Sequence, residues 1–117
     1  MPFDHERLDV YQRALDFLGI ADEIVEHLPR GRSHLADQLT RAATSIVLNI
    51  AEGAGKFSKA DKRRYYLTAA GSTTESAAIC DVCLRLDLIT AEVHNTSKQL
   101  LERIMSMLVK LAKALGD

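Results

Sequence analysis

Four long stretches of helical periodicity, broken in only three places, leave this chain few ways to fold. Leu8, Tyr11, Leu15 and Leu18 recur at helical spacing with Ala14, Phe17, Ala21, Ile24 and Leu28 beside them, which predicts a helix over residues 7–28. Pro29 ends it, because its ring clashes with the preceding turn and it has no N–H to give. Ser33 is placed to cap a second helix over residues 34–54, whose Leu35, Leu39, Ala42, Ala43, Ile46 and Ile50 share one arc. Gly55 suits a left-handed C-terminal residue. Ser58, with Asp61 in the positive first turn, begins a third helix over residues 59–86. Thr90 begins the last, over residues 91–115, carrying Val93, Leu100, Leu101, Ile104, Leu108, Leu111 and Leu115. No segment alternates with the two-residue period of a strand. The expectation is an all-α, antiparallel up-down-up-down four-helix bundle occupying residues 1–117 as one domain.

The glycines of Gly53-Ala-Gly55-Lys56 invite a phosphate-loop reading, which the spacing refuses. A P-loop needs Ser or Thr after Gly-Lys and a glycine five positions before; here Phe57 and Ile50 occupy those places. The third glycine of a dinucleotide fingerprint would be Ser58. Cys80-Asp-Val-Cys83 is a single pair late in a helix, short of a zinc set and far from the helix N-terminus that activates redox thiols, so it reads as packing. His5, His27, His34 and His94 are dispersed, and no Glu-x-x-His marks a di-iron bundle. No cofactor, no metal and no enzymatic activity are expected. No apolar run is long enough for a bilayer and the N-terminus lacks a signal-peptide layout, so a cytoplasmic protein without a membrane partner is expected.

Gln38, Arg41, Ser45, Asn49 and Glu52 lie on one face of the second helix. Antiparallel helices joined near Phe57 place residues level when their numbers sum to roughly 116. That rule sets Arg41 level with Glu75, Asn49 with Thr68, and Glu52 with Arg64, a polar ladder within one chain or across an interface. The third helix carries two stripes, Tyr66, Ala70, Thr73, Ala77, Cys80 and Leu84 on one side and Thr68, Ser72, Glu75, Ile79, Val82 and Leu86 nearly opposite. One stripe can face the core; the second implies cover by another subunit.

The stretch Gln38 to Ser76 resembles the four-helix-bundle family of proteins encoded in bacterial 23S rRNA intervening sequences. The match is carried by Gln38, Leu39, Arg41, Ala42, Ser45, Ile46, Asn49, Ile50, Ala51, Glu52 and Gly53, then Ala69, Gly71, Ser72 and Glu75. The opening Phe3 to Phe17 also resembles the family's start. Thr40 stands where a second basic residue is common, and Val47 where proline is common. The resemblance implies a homopentamer around a central channel, and similarity to the accessory subunit of diversity-generating retroelements, which holds a reverse transcriptase and nucleic acid on a basic barrel surface. It supplies no catalytic residues.

Net charge is −1, so no global basic field advertises nucleic acid. Locally, Lys56, Lys59, Lys62, Arg63 and Arg64 crowd the turn between the second and third helices, diluted by Glu52 and Asp61, with Tyr65 and Tyr66 close enough to stack bases. Arg30 and Arg32 form a second, smaller patch. In a cyclic oligomer the first patch repeats around one rim and can neutralise many phosphates together. The expectation is a non-catalytic oligomeric scaffold that binds RNA, or an RNA-handling protein, through that rim. Its rival is a structural or protein-recruiting homo-oligomer with no nucleic-acid role.

Overall fold

The computed structural model describes residues 2–116. Four α-helices, α1 Asp9–His27, α2 Ser33–Ala54, α3 Lys59–Arg85 and α4 Ala91–Ala114, form the molecule, with 3-10 turns at Asp4–Arg7 and Arg30–Arg32 and no strand among the described residues. The helices pack in a cycle, α1 on α2, α2 on α3, α3 on α4 and α4 on α1. Their shared core centres on Phe17, Leu39, Ile46, Ile50, Leu101, Ile104 and Leu108.

The helix ends show which local signals decide. Ser58 Oγ accepts from Asp61 N at 3.0 Å, and Thr90 Oγ1 from Val93 N at 3.1 Å, so α3 and α4 begin as expected. Ser33 does not cap α2: the 3-10 turn Arg30–Arg32 runs straight into the helix and Ser33 becomes its first residue. The first helix is also shorter than expected, because extended backbone at Leu8 (φ −87°, ψ 125°) separates it from the Asp4–Arg7 turn, and Leu28 lies beyond its end.

Gly55 is not left-handed (φ −86°, ψ −5°). The orphan carbonyls of α2 are satisfied instead by Lys62, whose Nζ donates to Ala54 O at 2.8 Å and Gly53 O at 3.5 Å. The non-glycine residue with a left-handed backbone among the described residues is Asp87 (φ 58°), after α3. There Leu88 N donates to Cys83 O at 2.8 Å and Asp87 N to Leu84 O at 3.0 Å, a Schellman closure without glycine.

On α1 the buried row is Val10, Ala14, Phe17, Ala21 and Ile24, while Leu15 is 37% exposed. Leu8, Tyr11, Leu15 and Leu18 therefore lie at the margin of the core, and the residues beside them fill it. Alanines at the centre of the row let the axes approach. On α3 the stripe Tyr66, Thr73 and Cys80 is buried; of the second stripe only Ile79 is, while Val82 and Leu86 are exposed.

The tightest contact is between α2 and α3. A Cβ at Gly53 would stand 2.9 Å from Tyr66 Cε1 and 3.0 Å from Tyr65 Cβ. The Tyr66 ring is buried and cannot swing away. Gly53 is thus a packing glycine, a role its position in a glycine-rich helix end conceals. Gly71, mid-helix on α3, has nothing within 4 Å of its Cβ position. Opposite effects follow. Gly53→Ala is expected to lower the unfolding free energy by about 1–3 kcal/mol through overpacking, outweighing its helix-propensity gain. Gly71→Ala is expected to raise it by roughly 0.5–1 kcal/mol. Urea titration of the two variants beside the parent reads both signs.

Candidate nucleic-acid interface

The polar face of α2 meets α3 through two rungs. Arg41 Nη2 donates to Glu75 Oε2 within one chain, and one turn further on Ser45 Oγ and Ser72 Oγ lie 2.8 Å apart. With Gly53 against Tyr66, these pairs fall on α3 as they rise on α2. The other two expected rungs are not formed. Asn49 Nδ2 donates to Ser45 O and Ser45 Oγ, both at 2.9 Å, and Thr68 Oγ1 donates to Arg64 O. Glu52 faces Lys56 at 3.8 Å, and Arg64 faces Asp61 at 3.7 Å. Each of these side chains is instead partnered by a neighbour three or four residues away in the chain. Gln38 is exposed on the same face. The Arg41 and Glu75 side chains are 62% and 39% exposed, so the pair lies at the protomer surface.

The five cations of the rim divide into different roles. Lys62 is committed to the end of α2. Lys56 Nζ and the Arg64 guanidinium lie 5.1 and 4.6 Å from the centre of the Tyr65 ring, cation–π contacts that hold both side chains near one aromatic. Arg63 is half-buried, with Nε shielded and unpartnered. Lys59 is exposed in the first turn of α3. Of the two tyrosines, Tyr66 is core: burial, then Asp4, raises its phenol above the usual range. The aromatic that projects fully into solvent here is Phe57, which the sequence reading passed over.

At the opposite end of α3, one carboxylate oxygen, Asp81 Oδ1, accepts from Lys98 Nζ at 2.8 Å and lies 2.7 Å from His94 Nε2. These bonds, Lys98 first, hold the Asp81 carboxyl below its ordinary value. Cys80 and Cys83 are free and buried. Burial, with Cys83 adding to it, pushes the Cys80 thiol up to about 11, and burial also raises Cys83. Such thiols are poor nucleophiles and ligands. Among the described residues, the buried Ser97 hydroxyl has no hydrogen-bond partner. Among the described residues, no three His, Cys, Asp or Glu side chains are gathered to hold a metal, and no helix is long and apolar enough to cross a membrane.

A sequence model of the family described as 23S rRNA-intervening sequence protein matches residues 6–110. Among solved structures, the crystal structure of a protein with unknown function from the S23 ribosomal protein family of Bacteroides thetaiotaomicron VPI-5482 superposes with a TM-score of 0.81. The alignment covers 89% of this chain and 98% of that one at 22% identity, a likeness of fold alone. No curated protein matches the chain.

Two outcomes follow from the ion pairs. Glu75→Ala is expected to cost the unfolding of one chain less than about 1 kcal/mol, because its partner stays hydrated; urea titration checks this. For Asp81, the folded carboxyl titrates below its unfolded value of 3.8, so its contribution is complete above that pH and fades as pH falls through the lower folded value. Asp81→Asn is therefore expected to be less stable than the parent near neutrality and to converge with it in acid. Thermal melts across a pH series read the convergence.

Proposed function

This chain belongs to the 23S rRNA-intervening sequence protein family, and from that premise we propose that it is a non-catalytic oligomeric scaffold. It binds RNA, or a protein that handles RNA, through the basic rim at the α2–α3 turn, in the cytoplasm. The observation that carries the reading is the grouping of Lys56, Lys59 and Arg64 at the α2–α3 corner: Lys56 and Arg64 lie against Tyr65 and face their carboxylates, Glu52 and Asp61, only at 3.8 and 3.7 Å, and Lys59 is exposed. Phosphates are the natural counter-charge for such a group. The resolved pKa shifts support a non-catalytic role, since they fall on a buried phenol, two core thiols and one surface carboxylate rather than on groups converging in a cleft.

The protomer is an up-down-up-down bundle that assembles into a cyclic homo-oligomer, pentameric by its resemblance to the family. Leu48, Val82 and Leu86, apolar and exposed on the outer faces of α2 and α3, favour such cover. The same exposed side chains favour the second reading, a protein-recruiting homo-oligomer without a nucleic-acid role.

The test is fluorescence-anisotropy titration of RNA across a salt series, on material whose mass is fixed by light scattering. Affinity is expected to fall steeply with salt. Reversing Lys56, Lys59 and Arg64 to Glu is expected to remove at least about tenfold in affinity and, for a single strand, to flatten the log–log salt slope by about 2 units, with the mass unchanged. Lys62 is left in place because it closes α2. An intact oligomer that binds no RNA even at low salt would hand the case to protein recruitment.

A further inference from the structure

Phe57 is a fully exposed phenyl ring in a turn that is otherwise well tied down. Before it, Gly55 N and Lys56 N donate to Ala51 O and Gly53 O, both at 3.2 Å. After it come the Ser58 cap and the Lys62 bridge back to Ala54. The ring is therefore held out by ordered backbone. It lines a surface groove of about 560 Å³ with Phe3, His5 and Leu48. Phe3 stacks on His5 at 5.7 Å with ring planes 20° apart, and His5 leans on Tyr11 at 4.6 Å, so the N-terminal wall is an assembled aromatic surface. Asp4 and Glu52 supply carboxylates to the same groove. The cations Lys56 and Lys59 flank Phe57 in the chain.

A ligand suited to this arrangement has a flat face for the aromatic walls, N–H donors for the carboxylates and an anionic portion for the lysines. The carboxylates repel phosphate from the groove itself, so the backbone stays on the lysine side and the flat group enters first. A nucleotide has this polarity. Paired bases offer only their edges to a protein, whereas unpaired ones expose a face for stacking. We infer that the groove between Phe3 and Phe57 receives an unpaired base of single-stranded RNA, whose phosphates run along Lys56, Lys59 and Arg64. The inference rests on the rim being an RNA contact and adds the form of RNA it selects.

The experiment compares a fluorescent single-stranded RNA with its own duplex, titrated into the full-length protein and into Phe57→Ala and Phe57→Trp. The parent is expected to prefer the single strand. Phe57→Ala is expected to weaken single-strand binding roughly 5- to 100-fold, leaving duplex binding, salt slope and oligomer mass unchanged. Phe57→Trp is expected to restore the affinity, with tryptophan emission quenched on binding. Equal losses for single strand and duplex, or no loss for either, would overturn the stacking site while leaving the rim standing. A change of oligomer mass in Phe57→Ala would overturn it by assigning the ring to a contact between copies. A parent protein that binds neither RNA would remove both the site and the rim.

Discussion

The approach of α2 to α3 at Gly53 governs much of what lies on the surface. The Tyr66 ring fills the space where a Gly53 side chain would stand, and from the end of α3's first turn Lys62 reaches the carbonyls that close α2. These contacts fix how far one helix slides along the other. Once that is fixed, Ser45 must meet Ser72 and Arg41 must meet Glu75 further down the seam. They also fix the connecting turn, and with it the direction in which Phe57 and its neighbouring cations project.

Where the sequence was informative, the physics was either local or periodic. Ser58 and Thr90 cap their helices because a hydroxyl at that position has an unpaired N–H within reach whatever the remainder of the chain does. The axial rule found Arg41 and Glu75 because rise per residue is the same on both helices. It failed for Asn49 with Thr68 and for Glu52 with Arg64, whose side chains turn to neighbours three or four residues away in the chain. Partners on the same helix are reached at less entropic cost. Ser33 and Gly55 carried the right residue types for helix ends, but a 3-10 turn and a lysine from the next helix had already met those needs. Asp87 gave no advance sign of its positive φ, because Asp is only an occasional occupant of that region.

The candidate site was legible as a composition and much less as an arrangement. Five basic residues between Lys56 and Arg64 are plain in the sequence, but their division of labour is not. Lys62 cannot both cap α2 and bind phosphate with full strength, and Arg63 has part of its guanidinium shielded. The three aromatics of this corner divide as well. Tyr66 went to the core, Tyr65 became the ring shared by two cations, and Phe57 took the solvent. Hydrophobicity ranked them the other way round, since a phenylalanine is expected inside and a tyrosine can tolerate water at its hydroxyl.

That inversion bears on why the turn is built as it is. An exposed phenyl loses hydrophobic stabilisation that burying it would have supplied, on the order of 2 kcal/mol. The chain offsets nothing of this locally: Lys62, Ser58 and Gly53 all hold the turn in the shape that keeps the ring out. A flexible turn would have let Phe57 fold back toward the neighbouring apolar side chains of Leu48 and Phe3. Holding it out lowers the entropy lost when a flat partner arrives, because the ring and its cations are already in place. A rigid apolar group on a charged corner therefore makes physical sense as a contact waiting for a surface, and the groove beside it, walled by aromatics and edged with carboxylates, narrows what that surface can be.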